Sequence, residues 1–152
     1  MQIQQASVRD LGALVPLALA LWPEHDAHAL AEELRAQMEQ KDTLFLLACV
    51  QGAPCGFAQC GLRHDYVEGT RSTPVGYLEG IYLVPEARGQ GLARLLLAEC
   101  ERWALAHGCS EFASDCELPN EHSLSFHLRA GFREANRIIC FVKPLKEPKE
   151  EC

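Results

Sequence analysis

The segment Tyr77–Gly91, YLEGIYLVPEARGQG, constrains the fold more than any other part of the chain. Its first half predicts a β-strand that ends at Pro85, and its second half is a glycine-rich turn that leads into an apolar helix. Glu79 lies inside the strand, where an ionised carboxylate is costly unless it is paired or wetted by a cleft. The adjacent Gly80 often marks a β-bulge. The segment therefore favours a carboxylate in a cleft, and the alternative is an edge-strand glutamate that faces water.

The turn Arg88–Gly91, RGQG, joins this strand to the helix. Its two glycines allow a ligand to approach the backbone closely. The free N–H groups of the first helical turn and the helix dipole favour an anion such as a pyrophosphate, and Arg94 adds positive charge nearby. Glycine-rich turns between strands and helices also occur without phosphate binding, so the turn by itself leaves both interpretations open.

The composition is typical of a soluble globular protein. The chain has 152 residues, of which 48% are hydrophobic and 23% charged, and its formal net charge is -7. We expect one domain over residues 1–145 and a frayed tail over 146–152. The acidic balance disfavours nucleic acid as a partner, because nucleic-acid binders carry a basic face. It is compatible with a cationic ligand, although many proteins are acidic only for solubility.

The eight cysteines indicate neither a disulfide framework nor a metal site. No two have CxxC spacing, and no tight Cys/His cluster is present. Several fall in apolar strand or helix patterns, where a free thiol behaves as a small hydrophobe. We therefore expect reduced, structural cysteines, no bound metal and a cytoplasmic location. Cys152 is expected to be exposed and able to form adventitious dimers.

The apolar run Leu11–Trp22 predicts a helix rather than a signal peptide or a membrane span. It lacks a basic n-region, it is too short to cross a bilayer, and its apolar residues recur at helical intervals. Ser7 with Asp10 resembles a capping box at its start, Pro23 stops it, and Pro16 is expected to bend or split it. We therefore expect no membrane partner.

The periodicity of the whole chain predicts an α/β (α+β) fold, with one mixed, mostly antiparallel central sheet flanked by helices. The predicted order is β-α-α-β-β-β-α-β-α-β-β. The predicted strands are 2–6, 43–50, 53–63, 75–84, 110–116, 132–136 and 137–143, and the predicted helices are 8–21, 27–40, 91–107 and 120–130. The core side of the third helix is expected to carry Leu92, Leu95, Leu96, Trp103 and Ala104. Side chains alternate between the two faces of a strand, so one face of the fourth strand is expected to carry Tyr77, Glu79, Ile81 and Leu83.

The turn that begins at Arg88, which we call the signature turn, carries a family resemblance. Its residues Arg88-Gly89-Gln90-Gly91-Leu92-Ala93 fit the R/Q-x-x-G-x-G/A signature of the GNAT acetyltransferase superfamily. GFR at 131–133 resembles a motif near the end of the same fold. The resemblance extends over essentially the whole chain, and it implies the GNAT fold with this turn on the pyrophosphate of acetyl-CoA.

Five segments narrow the resemblance to the aminoglycoside 6'-N-acetyltransferases. In chain order they are LWPEH (21–25), RHDYVEG (63–69), LEGIYLVP (78–85), GCSEFASD (108–115) and PNEHSLSFHLRAGFRE (119–134). The resemblance implies acetyl transfer from acetyl-CoA to the 6'-amino group of an aminoglycoside, which confers resistance. It also implies a homodimer.

The resemblance further implies which residues form the site. The pantetheine arm and thioester would meet backbone groups of the fourth strand, and the pyrophosphate would meet the turn. The implied cofactor-binding residues are Ile81, Tyr82, Leu83, Arg88, Gly89, Gln90, Gly91, Leu92, Ala93, Arg94, Asn120 and His127. The implied acceptor-binding residues are Trp22, His25, Tyr66, Glu79, Asp115 and Asn136.

Glu79 and Asp115 are also the predicted catalytic residues. They lie at the C-terminal parts of two strands that are adjacent in this fold, so they can bind ammonium groups and accept a proton directly or through water. Without the resemblance, a core role for Trp22, a capping role for His25 and a turn role for Asp115 stay open.

Two positions depart from the family pattern. Many members of the superfamily carry, seven residues after the position of Asn120, a tyrosine that protonates the leaving thiolate, and this chain has His127 there. Either this histidine is the acid, or it is a packing residue and water takes that role. Asn136 lies where close relatives have a carboxylate, and a neutral amide would weaken the hold on one substrate ammonium.

These residues predict direct acetyl transfer without an acyl-enzyme, because no Cys/His arrangement favours a covalent route. Activity is expected to fall in acid as the two carboxylates protonate. Two alternatives stay open. One is a GNAT enzyme for another small amine, such as a polyamine, an amino acid or a protein N-terminus. The other is a non-catalytic acyl-CoA-binding sensor.

Overall fold

A five-stranded sheet organises residues 1–146, which are the part of the chain that the computed structural model describes. Its strands lie side by side in chain order, and they are β1 Gln2–Gln5, β2 Thr43–Val50, β3 Ala53–Arg63, β4 Val75–Leu83 and β5 Phe112–Ser114. The first four pair antiparallel, and β5 joins β4 in parallel. The helices are α1 Leu11–Leu21, α2 Ala27–Met38, α3 Leu92–Ala106 and α4 Glu121–Arg129, with 3-10 turns at Val8–Asp10 and Pro85–Ala87. The predicted mixed, mostly antiparallel sheet with flanking helices is confirmed.

Helices cover both faces of the sheet. Successive residues of β2 and β3, which point to opposite faces, are therefore buried. On one face, Leu96 and Cys100 of α3 belong to a cluster that we call the α3 core. On the other face, Leu14 of α1 and Leu34 of α2 form with Phe57 the α1–α2 core. Complete burial of a leucine or phenylalanine side chain stabilises the fold by about 1.5–3 kcal/mol.

A β-bulge at Glu79 interrupts the pairing of β3 with β4. Gln59 pairs with Gly80, but the next residue, Cys60, pairs with Leu78, so Glu79 is the extra residue of β4. The bulge that Gly80 predicts is therefore confirmed. The extra residue lies outside the core, and the side chain of Glu79 is 35% exposed.

The bulge shifts the alternation of β4 by one residue. Leu78, Ile81 and Leu83 all lie against the α3 core, whereas Tyr82 packs against the α1–α2 core. The prediction that Tyr77, Glu79, Ile81 and Leu83 share one face is therefore wrong. A period of two does not continue across an inserted residue, because each residue after the insertion changes face.

Helix α1 continues through Pro16, so the proline does not split it. A proline in a helix leaves the carbonyl four residues earlier without its usual donor. Here that carbonyl belongs to Gly12, and both Gly12 and Pro16 lie on the exposed side of α1. Water can donate a hydrogen bond to the Gly12 carbonyl there, so the helix continues on both sides of Pro16.

Helix α3 buries Leu92, Leu96 and Ala104 as predicted, but Leu95 is 48% exposed. Trp103 packs partly against the α3 core. Buried positions of a helix recur every three to four residues, and Leu95 is one residue away from the buried stripe that contains Leu96. The predicted core position of Leu95 is therefore wrong, because adjacent helical residues point in directions about 100° apart.

The strands predicted at 132–136 and 137–143 are absent, since residues 132–146 contain neither helix nor strand. A strand needs a partner for its backbone groups, and no strand of the described sheet pairs with this segment. We call residues 133–146 the C-terminal arm. Its large apolar side chains are exposed, by 68% at Ile138, 80% at Ile139, 89% at Phe141 and 94% at Val142.

Seven cysteines lie within residues 1–146, and all seven are free thiols. Burial raises the pKa of Cys55 and of Cys109, which keeps both as neutral apolar groups. Cys152 and the rest of the predicted tail after residue 146 lie outside the described residues. No helix in the described part of the chain is long and apolar enough to cross a membrane.

Candidate functional site

Glu79 is held in the bulge by an ion pair with Arg63, the last residue of β3. The Nη2 atom of Arg63 donates to both carboxylate oxygens of Glu79, at 3.0 and 3.2 Å. The pair is partly open to water, with the side chain of Arg63 44% exposed. Ion pairs exposed to this degree contribute about 0–1 kcal/mol, so another cation can replace Arg63 at low cost.

Asp115 joins the same group of charges through Tyr77. The Tyr77 hydroxyl donates a hydrogen bond to Asp115 Oδ2, and the Arg63 guanidinium lies 3.5 Å from the centroid of the Tyr77 ring. Burial, followed by the hydrogen bond to Asp115, raises the pKa of Tyr77, so the phenol stays protonated and remains a donor. The two predicted catalytic carboxylates are thus connected through Tyr77 and Arg63, neither of which was predicted.

Trp22 and His25 lie with Glu79 around a hollow of about 250 Å³, which we call the acceptor hollow. Its other lining residues are Leu30, Glu33, Leu34, Gln37 and Gln59. The Trp22 ring meets Phe57 edge-on at 5.9 Å, so it also belongs to the core. His25 does not cap α2, because Asp26 accepts the hydrogen bond from the Ala29 N–H.

Tyr66 and Asn136 lie away from this group. Tyr66, 77% exposed, lines a second, open hollow of about 510 Å³ that is formed by the loop 64–74, Glu111 and the start of the C-terminal arm. Asn136 Nδ2 donates to Glu68 at 2.9 Å and so ties the arm to the loop. The structure therefore brings Trp22, His25 and Glu79 together around one hollow, and it places Tyr66 and Asn136 elsewhere.

The signature turn leaves its backbone open. Gly89 and Gly91 have φ angles of 77° and 83°, and no atom lies within 4 Å of where a Cβ would be at either residue. Such φ values favour glycine. Gly91 is the N-cap of α3, so the N–H groups of Leu92, Ala93 and Arg94 have no acceptor within the helix.

The polar side chains around the turn are already engaged. Arg88 Nε donates to the Leu83 carbonyl at 2.9 Å, Gln90 Nε2 donates to the Glu86 carbonyl at 3.3 Å, and Arg94 Nη2 donates to the Arg129 carbonyl at 3.2 Å. Each arginine keeps further guanidinium N–H donors besides the one that is used, so both side-chain and backbone N–H groups remain available at the turn.

β5 pairs with only the first part of β4. Their pairing ends at Leu78 and Ser114, but β4 continues to Leu83. The backbone edge of Ile81, Tyr82 and Leu83 on that side consequently has no strand partner. Unpaired strand edges bind extended ligands through main-chain hydrogen bonds.

Asn120 is the N-cap of α4, and His127 lies on α4 in contact with Ser114, the last residue of β5. Asn120 Oδ1 accepts from the Ser123 N–H at 3.1 Å and caps α4. His127 Nδ1 lies 2.7 Å from the Ser123 carbonyl, and Nε2 lies 2.8 Å from Ser114 Oγ. The His127 ring packs against Phe132, with centroids 5.1 Å apart. Both ring nitrogens of His127 therefore already have partners.

We expect Gly80→Ala to displace the Trp22 ring, because a Cβ at residue 80 would lie 2.7 Å from Trp22 Cζ2. The chain has two tryptophans, so the two indole N–H signals in an NMR spectrum report on each ring separately. The Trp22 signal should move and the Trp103 signal should not. Gly12→Ala is the control, since nothing lies within 4 Å of that Cβ. An unmoved Trp22 signal in Gly80→Ala would contradict the close contact.

The model of the acetyltransferase (GNAT) family matches residues 11–132. Among curated proteins, an aminoglycoside N(6')-acetyltransferase type 1 from Stenotrophomonas maltophilia is 40% identical over 144 residues, which cover 95% of this chain and 94% of that protein. Another from Serratia marcescens is 40% identical over 141 residues, 90% of this chain and 94% of that protein.

A solved structure shows the same similarity in three dimensions. The apo crystal structure of an aminoglycoside antibiotic 6'-N-acetyltransferase from Acinetobacter haemolyticus superposes with a TM-score of 0.93 at 34% identity, covering 96% of this chain and 100% of that one. A family match over most of the chain, together with relatives that align along nearly their full length, settles the classification. The chain belongs to the GNAT family of acetyltransferases.

Proposed function

We propose that this protein is an aminoglycoside 6'-N-acetyltransferase, which transfers the acetyl group of acetyl-CoA to the 6'-amino group of the antibiotic and so confers resistance. The observation that carries the proposal is the group Glu79, Arg63, Tyr77 and Asp115 beside the point where β4 and β5 part. A similar structure, at a TM-score of 0.85 and 36% identity, was solved with a CoA–acetylneamine bisubstrate analogue.

The coenzyme side of the site fits the shape and charge of acetyl-CoA. The free N–H groups of Leu92, Ala93 and Arg94 can hold a diphosphate, and the open backbone of Gly89 and Gly91 lets it approach. The unpaired edge of β4 can bind the amides of the pantetheine arm. Asn120 keeps its side-chain N–H₂ donors for the same arm, because only its oxygen caps α4.

The acceptor side fits a polycation. In this proposal Glu79 binds the reacting ammonium, which takes the place that Arg63 holds in the free protein. Glu79 then accepts a proton from the amine, directly or through water, and the neutral amine attacks the thioester carbonyl. Asp115 stays hydrogen-bonded to Tyr77 and binds a second amine. Trp22 and His25 line the hollow in which the sugar lies.

The reaction then needs only positioning and proton transfer. Attack by the amine forms a tetrahedral intermediate, which collapses to the amide and releases the CoA thiolate, so that no acyl-enzyme forms. The two hydrogen bonds of His127 favour its packing role, and water then supplies the proton to the thiolate.

Glu79→Gln tests this proposal. The wild type should acetylate tobramycin at its 6'-nitrogen, as located by NMR and mass spectrometry of the product. The variant should lose about 10²-fold or more in kcat/KM, because a general base typically contributes 10²–10⁴-fold. It should still bind CoA, and Glu101→Gln, a change at an exposed residue of α3, should be active.

Three results would contradict the proposal in different ways. Equal activity in Glu79→Gln would remove Glu79 from the mechanism. Turnover of spermidine or a peptide without turnover of kanamycin or tobramycin would indicate another amine as the substrate. Tight CoA binding with no transfer to any amine would indicate a sensor.

Gly91→Ala tests the coenzyme side. Alanine at a φ of 83° is strained by about 1–2 kcal/mol, and relief of this strain would reorient the N–H groups of the turn. We expect the Kd for CoA, measured by calorimetry, to rise about tenfold. Gly108→Ala is the matched control, because Gly108 has a φ of 87° and equally open surroundings after the end of α3. Equal CoA affinity in the two variants would exclude a specific role for the turn.

A homodimer formed through the C-terminal arm is also part of the proposal. The arm exposes Ile138, Ile139, Phe141 and Val142, and β5 is an edge strand with one unpaired side. Exposed apolar segments of this kind mark interaction sites, and an edge strand readily accepts another strand. A second copy of the chain supplies a matching arm and a matching edge by symmetry.

Sedimentation equilibrium tests the dimer. The wild type should show twice the 16.9 kDa mass of the chain, and Phe141→Glu should shift the equilibrium toward monomer because it places a charge in an apolar contact. Lys143→Glu changes charge without removing apolar area and should remain dimeric. A monomeric wild type at micromolar concentration would contradict the dimer.

We also propose a single catalytic domain over residues 1–145 in a cytoplasmic protein. The family match over residues 11–132 and the shared core of β1–β5 support one domain. Buried free thiols at five positions support a reducing compartment.

A further inference from the structure

One wall of the acceptor hollow is formed by α2 and carries a carboxylate that the reaction does not use. Glu33 and Gln37 of α2 and Gln59 of β3 line the hollow together with Trp22 and Glu79. None of these three residues was among the site residues predicted from the sequence. Hydrogen bonds connect them in series, from the buried Gln59 through Gln37 to the exposed Glu33.

The connection starts at Gln59, which is 6% exposed and is the one buried polar side chain within residues 1–146. Its Nε2 donates to Gln37 Oε1 at 2.9 Å. A buried amide is costly without a partner, so this bond fixes the orientation of the Gln37 amide. The Nε2 atom of Gln37 must then face the other way, and it donates to Glu33 Oε1 at 3.4 Å.

Glu33 is exposed and forms no ion pair with any basic side chain in the described part of the chain. The other carboxylate of the hollow, Glu79, already has Arg63 as its partner. Glu33 is therefore the carboxylate of the hollow whose charge the protein leaves uncompensated. Its contact with Gln37 is weak at 3.4 Å, so Oε2 and most of the charge remain free for a ligand.

We propose that Glu33, oriented by Gln37 and Gln59, binds a further, non-reacting ammonium group of the substrate, distinct from the amines at Glu79 and Asp115, and so selects polyamine sugars over single amines. The inference rests on the proposed function, because it assigns the acceptor one more point of attachment. Two carboxylates on one hollow match a substrate with two separated cations. Glu33 is a specificity residue, while Gln37 and Gln59 are positioning residues.

The test compares Glu33→Gln with Glu32→Gln, a matched change one residue earlier, at an exposed position of α2 outside the hollow. Loss of a charged contact should raise the KM for tobramycin on the order of tenfold in Glu33→Gln. The values of kcat and of KM for acetyl-CoA should stay unchanged, since Glu33 does not touch the reacting atoms. Glu32→Gln should match the wild type.

The positioning role is tested by Gln37→Met, alone and combined with Glu33→Gln. Gln37→Met should raise the KM for tobramycin in the wild-type background and leave it unchanged in the Glu33→Gln background. If Gln37 had a purely structural role, Gln37→Met would instead raise the KM for tobramycin by the same factor in both backgrounds. Thermal unfolding of each variant separates loss of fold from loss of the contact.

Tobramycin binding without acetyl-CoA, measured by calorimetry, separates this inference from the proposed function. Weaker binding in Glu33→Gln than in Glu32→Gln supports the inference even if no acetyl transfer is seen, a result that would overturn the proposed function alone. Equal KM and equal Kd in the two variants would overturn the inference while leaving the proposed function intact. A wild type that does not bind tobramycin would overturn both.

Discussion

The β-bulge at Glu79 is the constraint on which the site depends. One inserted residue moves Glu79 out of the ladder, so its carboxylate reaches Arg63 instead of the core. The same insertion turns Ile81 and Leu83 toward α3 and places Gly80 under the Trp22 ring. The geometry of the acceptor hollow thus follows from a local irregularity of β4.

In the proposed mechanism, the charges of the site exchange one cation for another. Arg63 neutralises Glu79 in the free protein and stacks on Tyr77, whose hydroxyl binds Asp115. A substrate ammonium that takes the place of Arg63, as we propose, would keep Glu79 paired with a cation, so its binding would not leave that carboxylate uncompensated. Arg63 is half-exposed, and its release into water costs little. In the same proposal, the free backbone N–H groups of Leu92–Arg94 provide the complementary anion site.

The sequence predicted the sheet, its helices and the bulge, because apolar periodicity and glycine placement depend on local structure. It did not predict the face of Ile81. An inserted residue reverses the alternation of every residue after it, so these faces can be predicted only when the position of the insertion is known. The arm was predicted as strands because it is rich in β-branched and aromatic residues, but a strand also needs a partner for its backbone hydrogen bonds. Arg63 and Gln59 were missed because their roles arise from strand register. A glutamine inside the apolar strand APCGFAQCGLR was an available signal, comparable to Glu79 in its own strand.

A crystal structure of the protein with CoA and tobramycin tests the exchange of cations at Glu79 most directly. We expect a tobramycin ammonium at hydrogen-bond distance from the Glu79 carboxylate, with the Arg63 guanidinium moved away from it. The CoA diphosphate should contact the N–H groups of residues 92–94. An intact Arg63–Glu79 pair with tobramycin bound elsewhere, or a diphosphate distant from this helical turn, would contradict the assigned site.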